Sequence, residues 1–239
     1  MLKFFRKIRQ NLIGTGDIKR YLLYAIGEIT LVMVGILLAL QVNNWNQKQL
    51  EHSTIKEALS EIAENLAADN SQLKALLQLR IEDYRAQKRI IKAFENNAPM
   101  DSTIQQDLGR VIIFREFYSI RNGYDVLKEI GVKKIANKTL RNSISSYYDR
   151  NIPELTEAYI SDKGEFETVL LPYVRHHFKE WIIGKYGIPH DYQHISQDAY
   201  FLTSLKLNLL NSQFTVDRIE NCLLMTNNLI ELIEKETNK

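Results

Sequence analysis

Cysteine occurs once in this chain, at position 222, so no internal disulfide can form and the redox compartment is left open. Cys222 lies within the apolar helical pattern "IENCLLMTNNLIELI" and reads as a small core residue. Prolines number only 4 and glycines 10 among 239 residues, a scarcity of breakers that favours helices. No run of strict apolar–polar alternation bounded by turn signals demands a strand, and no repeat of fixed period is present. The chain also lacks a phosphate-cradling loop: "GTG" at 14–16 precedes no GKS or GKT and follows no strand. A G-x-S-x-G elbow is missing too, and no HExxH base accompanies the histidines. No enzyme is expected from these motifs, and no cofactor.

A strong excess of one charge is likewise missing overall, because the net charge is only +2. Its placement is uneven. The first 20 residues hold six bases, Lys3, Arg6, Lys7, Arg9, Lys19 and Arg20, against the single acid Asp17. Outside them and Glu28 stand 25 bases and 27 acids, so the bulk shows no concentrated basic surface and nucleic acid is not expected as a partner.

What the chain does have is one long apolar run. From Leu22 to Val42 it extends 21 residues, which as a helix covers about 31 Å, against about 30 Å for a bilayer's hydrocarbon core. Tyr21 and Tyr24 stand at one boundary and Trp45 at the other, where aromatic rings prefer the interface. With the bases placed only before the run, the N-terminus is expected in the cytoplasm and everything after Asn43 outside. A cleaved signal peptide would be shorter and end in a small-x-small site, which "LALQVNNWN" does not supply, so an uncleaved signal anchor is expected. Ahead of it, Leu2, Phe5, Ile8 and Leu12 recur at helical spacing among Lys3, Arg6, Lys7 and Arg9, the pattern of a helix lying on an anionic inner leaflet.

Within the run, Glu28 is out of character. A carboxylate at the midplane of a span costs about 2.5 to 3.5 kcal/mol on insertion scales, and such residues usually face protein. Counted from Tyr21 at 1.5 Å per residue, Glu28 lies about 10 Å inside the cytoplasmic boundary. Gly35 and Ala39, seven and eleven residues on, share its helical face. Three uses are open. Glu28 snorkels toward the inner headgroups; or it hydrogen-bonds across a helix seam that Gly35 and Ala39 allow to close; or it carries a coupled proton. The last layout is similar to that of the small stator subunits of proton-driven motors, which use a different acid motif and outer fold.

The opening "KFFRKIRQNL", the span "YLLYAIGEITLVMVGILLALQVNNWN" and the later "GYDVLKEIGVKKIANKTLRNSISSYYD" resemble a family of uncharacterised single-span bacterial membrane proteins, grouped as a domain of unknown function. The span pattern, YAIGEI, an aliphatic run, GI and then ALQ-NNWN, is met by Gly27, Glu28, Gly35, Gln41, Asn43, Asn44 and Trp45. The resemblance implies a single-pass inner-membrane protein of the bacterial envelope with a periplasmic helical domain. It brings no activity, substrate or catalytic residue.

Beyond the span no Gly or Pro occurs between Ile36 and Ala98, so the helix can continue outward. Apolar residues Ile55, Leu59, Ile62, Leu66, Leu73, Leu77, Ile81, Tyr84, Ile91 and Phe94 follow at spacings of mostly three, four or seven, interrupted by Asp69 and Lys88. That length predicts a stalk, hairpin arm or coiled-coil-like element. Pro99 ends it, and Ser102 with Gln105 has capping-box spacing. Helices are then predicted over 102–118, 120–130 (closed by Gly131) and 138–149 (capped by Asn137), with another from Pro153 that Pro172 interrupts. "IIGKYGIPHDYQHIS" reads as a loop, after which Ser196 or Asp198 opens a last stretch, either one helix or two divided near "NSQF". The expected fold is all-α: a basic segment 1–20, an anchor 21–43, a stalk or arm 44–98 and an outer helical bundle 99–239.

Two outer constellations stand out. Tyr118, Arg121, Asn122, Tyr124 and Asp125 mix polar and aromatic groups densely around a glycine, either a helix junction packed by aromatics or a binding corner. Four histidines, His176, His177, His190 and His194, fall within 19 residues with Asp191 and Asp198 nearby. His190 and His194 are four apart, which on a helix grips a metal, but Pro189, Asp191 and Tyr192 argue for a loop there. Acids such as Asp83 beside Glu82, or Glu154 near Glu157, read as solvated helix faces. The function expected is that of a scaffold or interaction component. Its partners are the lipid bilayer and either a second copy or another membrane protein; the alternative is a proton-coupled energy-transducing subunit using Glu28.

Overall fold

The computed structural model describes residues 18–238, excepting the side chains of Ile18, Arg20 and Tyr21. The basic segment with Lys3, Arg6, Lys7 and Arg9 lies outside the described residues, as does the Tyr21 ring. The fold is all-α apart from one two-stranded hairpin. Helix α1 runs unbroken over Ile18–Glu95, 78 residues, as the absence of Gly and Pro after Gly35 allows. The chain divides into two compact units, Met1–Thr54 and Ile55–Lys239.

In the first unit the large aliphatic residues of α1 from Leu22 onward are solvent-facing among the described residues. Their large side chains are exposed, from 48% at Val34 to 72% at Leu31, and Trp45 is 63% exposed. Among the described residues this is the one helix long and apolar enough to cross a membrane.

The second unit begins at Ile55, within the segment 44–98 that the sequence suggests as a stalk or hairpin arm. From there on α1 supplies the bundle's central face, with Ala58, Leu59, Ile62, Leu66 and Leu73 buried. Helix α1 ends at Glu95, just ahead of Pro99.

After α1 comes α2, Ser102–Leu108, whose N-cap is Asp101 rather than Ser102: its carboxylate accepts from the Ile104 N–H at 2.7 Å. The helix predicted to residue 118 stops ten residues earlier, and the chain runs irregularly to α3, Asn122–Ile130. Gly131, at φ +105°, ends α3, and a short 3₁₀ turn, Val132–Lys134, follows. Asn137 caps the next helix through the Leu140 N–H, as predicted. From 138 to 177 the chain is one continuous helical rod: α4, Lys138–Ser146; α5, Ile152–Glu165; and α6, Leu171–His177, joined by π-helical turns at Tyr147–Asn151 and Phe166–Leu170. Each π turn lies just ahead of a proline, Pro153 or Pro172. A proline offers no N–H to the carbonyl four residues back and crowds it, and the wider turn absorbs both effects without breaking the rod.

A hairpin then forms where a loop was predicted. Strand β1, Phe178–Ile182, pairs antiparallel with β2, Tyr186–Pro189, and Gly184 at φ +73° makes the turn. Phe178 and Trp181 carry the apolar face, but five and four residues are too few for alternation to register. The hairpin depends on Gly109: a Cβ there would stand 2.2 Å from the Tyr186 nitrogen, and the Gly109 carbonyl accepts from the Gly184 N–H at 2.6 Å. Gly109→Ala is therefore expected to cost about 1–3 kcal/mol by forcing α2 and the hairpin apart. The midpoint of a denaturant titration of the full chain in detergent micelles measures it. A short α7, Tyr192–Gln197, and the 39-residue α8, Ala199–Thr237, complete the fold. Asp198 caps α8, and "NSQF" does not divide it.

Two apolar clusters form the core. One gathers Leu59, Ile62, Leu66, Tyr147, Leu155, Ile219 and Leu229; Cys222, 1% exposed, belongs to it as predicted, its thiol pushed up to about 12 chiefly by burial. The other gathers Ile90, Phe94, Leu108, Phe166, Phe178, Phe201 and Leu205. A belt of buried polar side chains from α1 lies between them in sequence: Arg80, Asp83 and Gln87. Arg80 donates to the Ile113 carbonyl and, at 2.5 Å, to Asp162, which also accepts from Thr215 at 3.0 Å. Gln87 accepts from the Ile112 N–H and donates to the Leu205 carbonyl, holding Ile112 at φ +50°, an unusual angle for a β-branched residue. Asp83 is no solvated acid: 5% exposed, it pairs with Arg110 at 3.0 Å and Arg115 at 2.7 Å. Both arginines come from the irregular segment after α2, whose course the sequence did not reveal.

Candidate functional site

Three arrangements merit comparison, and the first lies in α1. Glu28 is half-exposed there and shares a helix face with Gly35 and Ala39. A Cβ added at Gly35 would meet nothing within 4 Å, so the backbone is open to close approach by another helix. Tyr24 and Trp45 lie near the two ends of the segment.

The second arrangement is the aromatic corner around α3. Gly123 lets α3 lie against α1, since a Cβ there would stand 2.8 Å from the Ile62 nitrogen. That approach presses Tyr124 onto Tyr148, with ring centroids 4.4 Å apart and planes within 7°. Tyr147 meets Tyr148 edge-on at 4.9 Å. The Arg121 guanidinium covers both stacked rings, 5.6 Å from Tyr124 and 5.8 Å from Tyr148, and pairs loosely with Asp125 at 3.9 Å. Burial first, then the hydrogen bond it donates to Asp149, pushes the Tyr124 phenol up to about 12.

Beneath the stack lies Asp69, wholly buried, accepting from Ser119 Oγ at 2.6 Å, the Ile120 N–H at 3.0 Å and Tyr147 Oη at 3.0 Å. Burial raises its carboxyl above the usual range, although the three donors pull the other way. Tyr118 takes a different direction: 74% exposed, it donates to Glu116 at 2.6 Å. Arg121 and Tyr124 are thus mainly packing residues, while Tyr118, Asn122 and Asp125 present the outer surface. Tyr147, Tyr148 and Asp69 complete this corner unannounced, although Asp69 had been visible as a polar break in an apolar stripe.

The third arrangement gathers histidines. His190 and His194 do not pair: α7 begins only at Tyr192, after its Asp191 cap, so no helical turn spans both residues. The hairpin instead folds the chain back, and the His190 N–H bonds to the His177 carbonyl at 2.8 Å. The first turn of α7 then carries the His194 ring over that of His177, centroids 5.3 Å apart. Asp198 joins them, and the ligating atoms of His177, His194 and Asp198 all lie within 4.8 Å of one another. Two side chains hold this group in place. Tyr173 stacks on His177 at 4.2 Å and donates to Asp198 Oδ2 at 2.8 Å. Asp198 Oδ1 accepts from the Tyr200 and Phe201 N–H groups as the cap of α8. Burial raises the Asp198 carboxyl, but these hydrogen bonds and His177 outweigh it and hold it below the usual range. A pocket of about 370 Å³ opens beside the group, lined by Pro172, His176 and Tyr200 among others.

Scans against protein-family models, curated proteins and solved structures find no match for this chain. The functional reading therefore stands on its own geometry.

Proposed function

We propose that the chain is a single-pass inner-membrane protein of the bacterial envelope, a member of the uncharacterised single-span family its span motif resembles. Residues 22–42 cross the bilayer, and the unit Ile55–Lys239 acts on the periplasmic side as a self-associating interaction domain. The observation that carries this is the contrast along α1. Its first half exposes a series of Leu, Ile, Val and Met interrupted by Glu28, while its second half buries Leu, Ile, Ala and Phe in a core. In water the exposed half would be a large uncovered apolar surface, and a bilayer supplies its natural solvent. Bases placed only ahead of the segment favour a cytoplasmic N-terminus.

Two features favour self-association. The Glu28, Gly35 and Ala39 face offers a hydrogen-bonding group beside an open backbone. On α8, Leu207, Leu210 and Phe214 recur at i, i+3 and i+7 and are 56%, 61% and 66% exposed. Together they form an exposed apolar strip that a second copy would cover.

Carbonate extraction and protease protection test the topology: the protein should remain in the membrane pellet, with the outer unit digested only from the periplasmic face. Cross-linking in native membranes tests association. Glu28→Gln keeps a hydrogen-bonding side chain and should retain the dimer, whereas Glu28→Leu should lose about 1 kcal/mol, roughly fivefold in dimer population. A wild-type protein that stays monomeric refutes self-association. If Glu28→Gln dimerises normally yet is as inactive in cells as Glu28→Leu, the titrating proton matters, and proton coupling replaces the scaffold reading.

A further inference from the structure

We propose that His177, His194 and Asp198 form a binding site for a borderline divalent cation of the Zn²⁺ class, with three protein ligands and its remaining positions opening on the adjoining pocket. The donor set is two imidazoles and one carboxylate, which suits Zn²⁺ and its neighbours and is poorly matched to Mg²⁺ or Ca²⁺. Ligand atoms bound to one such ion at about 2.0–2.2 Å lie roughly 3.3 Å apart in a tetrahedron. The observed limit of 4.8 Å is therefore closed by a small side-chain movement. His194 can make that movement, because it is exposed on the six-residue α7, while the other two ligands are fixed.

Their fixing is the stronger part of the case. Metal-ligating groups need neighbours that orient them, and here Tyr173 serves both at once, stacking on the His177 ring and donating to Asp198 Oδ2. The backbone N–H groups at the start of α8 engage Oδ1. The carboxylate is thereby aimed before any ion arrives. Three elements converge to build the group: the end of α6 gives His177, α7 gives His194 and the junction into α8 gives Asp198. A three-ligand site beside a pocket of about 370 Å³ leaves room for an exchangeable water or a small anionic ligand on the metal.

Calorimetric titration of the tag-free full chain in detergent micelles with ZnCl₂, and with MgCl₂ as control, tests the site. One Zn²⁺ should bind per chain and Mg²⁺ should not. His177→Ala and His194→Ala should each weaken Zn²⁺ binding at least about tenfold. Asp198→Asn, which can still cap α8, should weaken it similarly without changing the helical circular dichroism, so the loss is not one of folding. Tyr173→Phe should weaken it less, and His190→Ala should leave it unchanged. Absence of stoichiometric Zn²⁺ uptake by the wild type overturns the proposal, as does a loss in His190→Ala equal to that in His194→Ala.

Discussion

Asp162→Asn is expected to destabilise the protein by about 3–5 kcal/mol, the cost of leaving a buried charge without its partner. Arg80 and Asp162 are each 1% exposed at the side chain, and their contact is 2.5 Å. A guanidinium cannot shed its proton, so the substitution strands a permanent cation whose remaining named partner is the Ile113 carbonyl. Arg80→Met should be milder, because a carboxyl can take up a proton. Burial already raises Asp162 above its ordinary value, with Arg80 and Thr215 opposing that rise. A carboxyl whose folded pKa exceeds its unfolded one stabilises the fold fully below about pH 3.9 and loses that contribution as pH rises through the folded value. Without Arg80 that pKa rises further. The Arg80→Met deficit should therefore be small in acid and grow toward neutrality, whereas the Asp162→Asn deficit, taken against a wild type that itself loses stability as pH rises, should be largest in acid and shrink toward neutrality. Urea titrations of the full chain in micelles across pH 4–8, read by circular dichroism, separate the two. Equal deficits at every pH would mean that Asp162 stays ionised in the core.

The second large effect is expected at Asp69. Asp69→Ala removes the acceptor from Ser119, Ile120 and Tyr147 together. A hydroxyl can rotate to find another partner, but the Ile120 N–H cannot, and Tyr147 is wholly buried. A loss of about 3 kcal/mol follows from stranding two such donors. Asp69→Asn should recover most of it by turning its carbonyl toward Ile120 and its amide toward the hydroxyls. The raised carboxyl gives a second signature: wild-type stability contributed by protonated Asp69 is complete below about pH 3.9 and declines as pH rises. The advantage of wild type over Asp69→Asn should shrink along the same path. Near-ultraviolet dichroism gives a third, since the Tyr124, Tyr148 and Tyr147 stack rests on this carboxylate. An Ala variant with unchanged aromatic bands and midpoint contradicts this account.

What was legible in the sequence follows from which forces act locally. The long helix, the Asn137 cap, the Asp198 cap and the buried Cys222 depend on neighbours within a turn or two, and they were readable. The face of α1 was half readable. Hydrophobic spacing selected Ile81 and Tyr84, yet the buried positions are Arg80, Asp83 and Gln87, whose partners lie on segments 25 to 118 residues away. Such burial is tolerable only because those distant groups satisfy it, and no local pattern announces them. The histidines illustrate the same limit. His177 and Asp198 had been noted as neighbours of His194, but a helical ruler proposed His190, and only the unforeseen hairpin brings residue 177 alongside. The membrane-like segment was plain, while the exposure of Leu207, Leu210 and Phe214 was hidden because an outward apolar residue looks, in sequence, like an inward one.

The polar belt also sets the alignment of the bundle. Apolar side chains are forgiving of position: a helix displaced by one turn, about 5.4 Å, can still offer leucine where leucine was. Arg80 allows no such exchange. Moved by four residues, its guanidinium would enter the cluster around Leu73 and Leu76, and Tyr84 would face Asp162 in its stead. Every mis-threaded packing of α1 thus buries one charge in hydrocarbon and abandons another, a penalty of several kcal/mol that the correct threading alone escapes. The belt works as a key cut into an otherwise smooth rod, admitting α1 among its neighbours at a single depth.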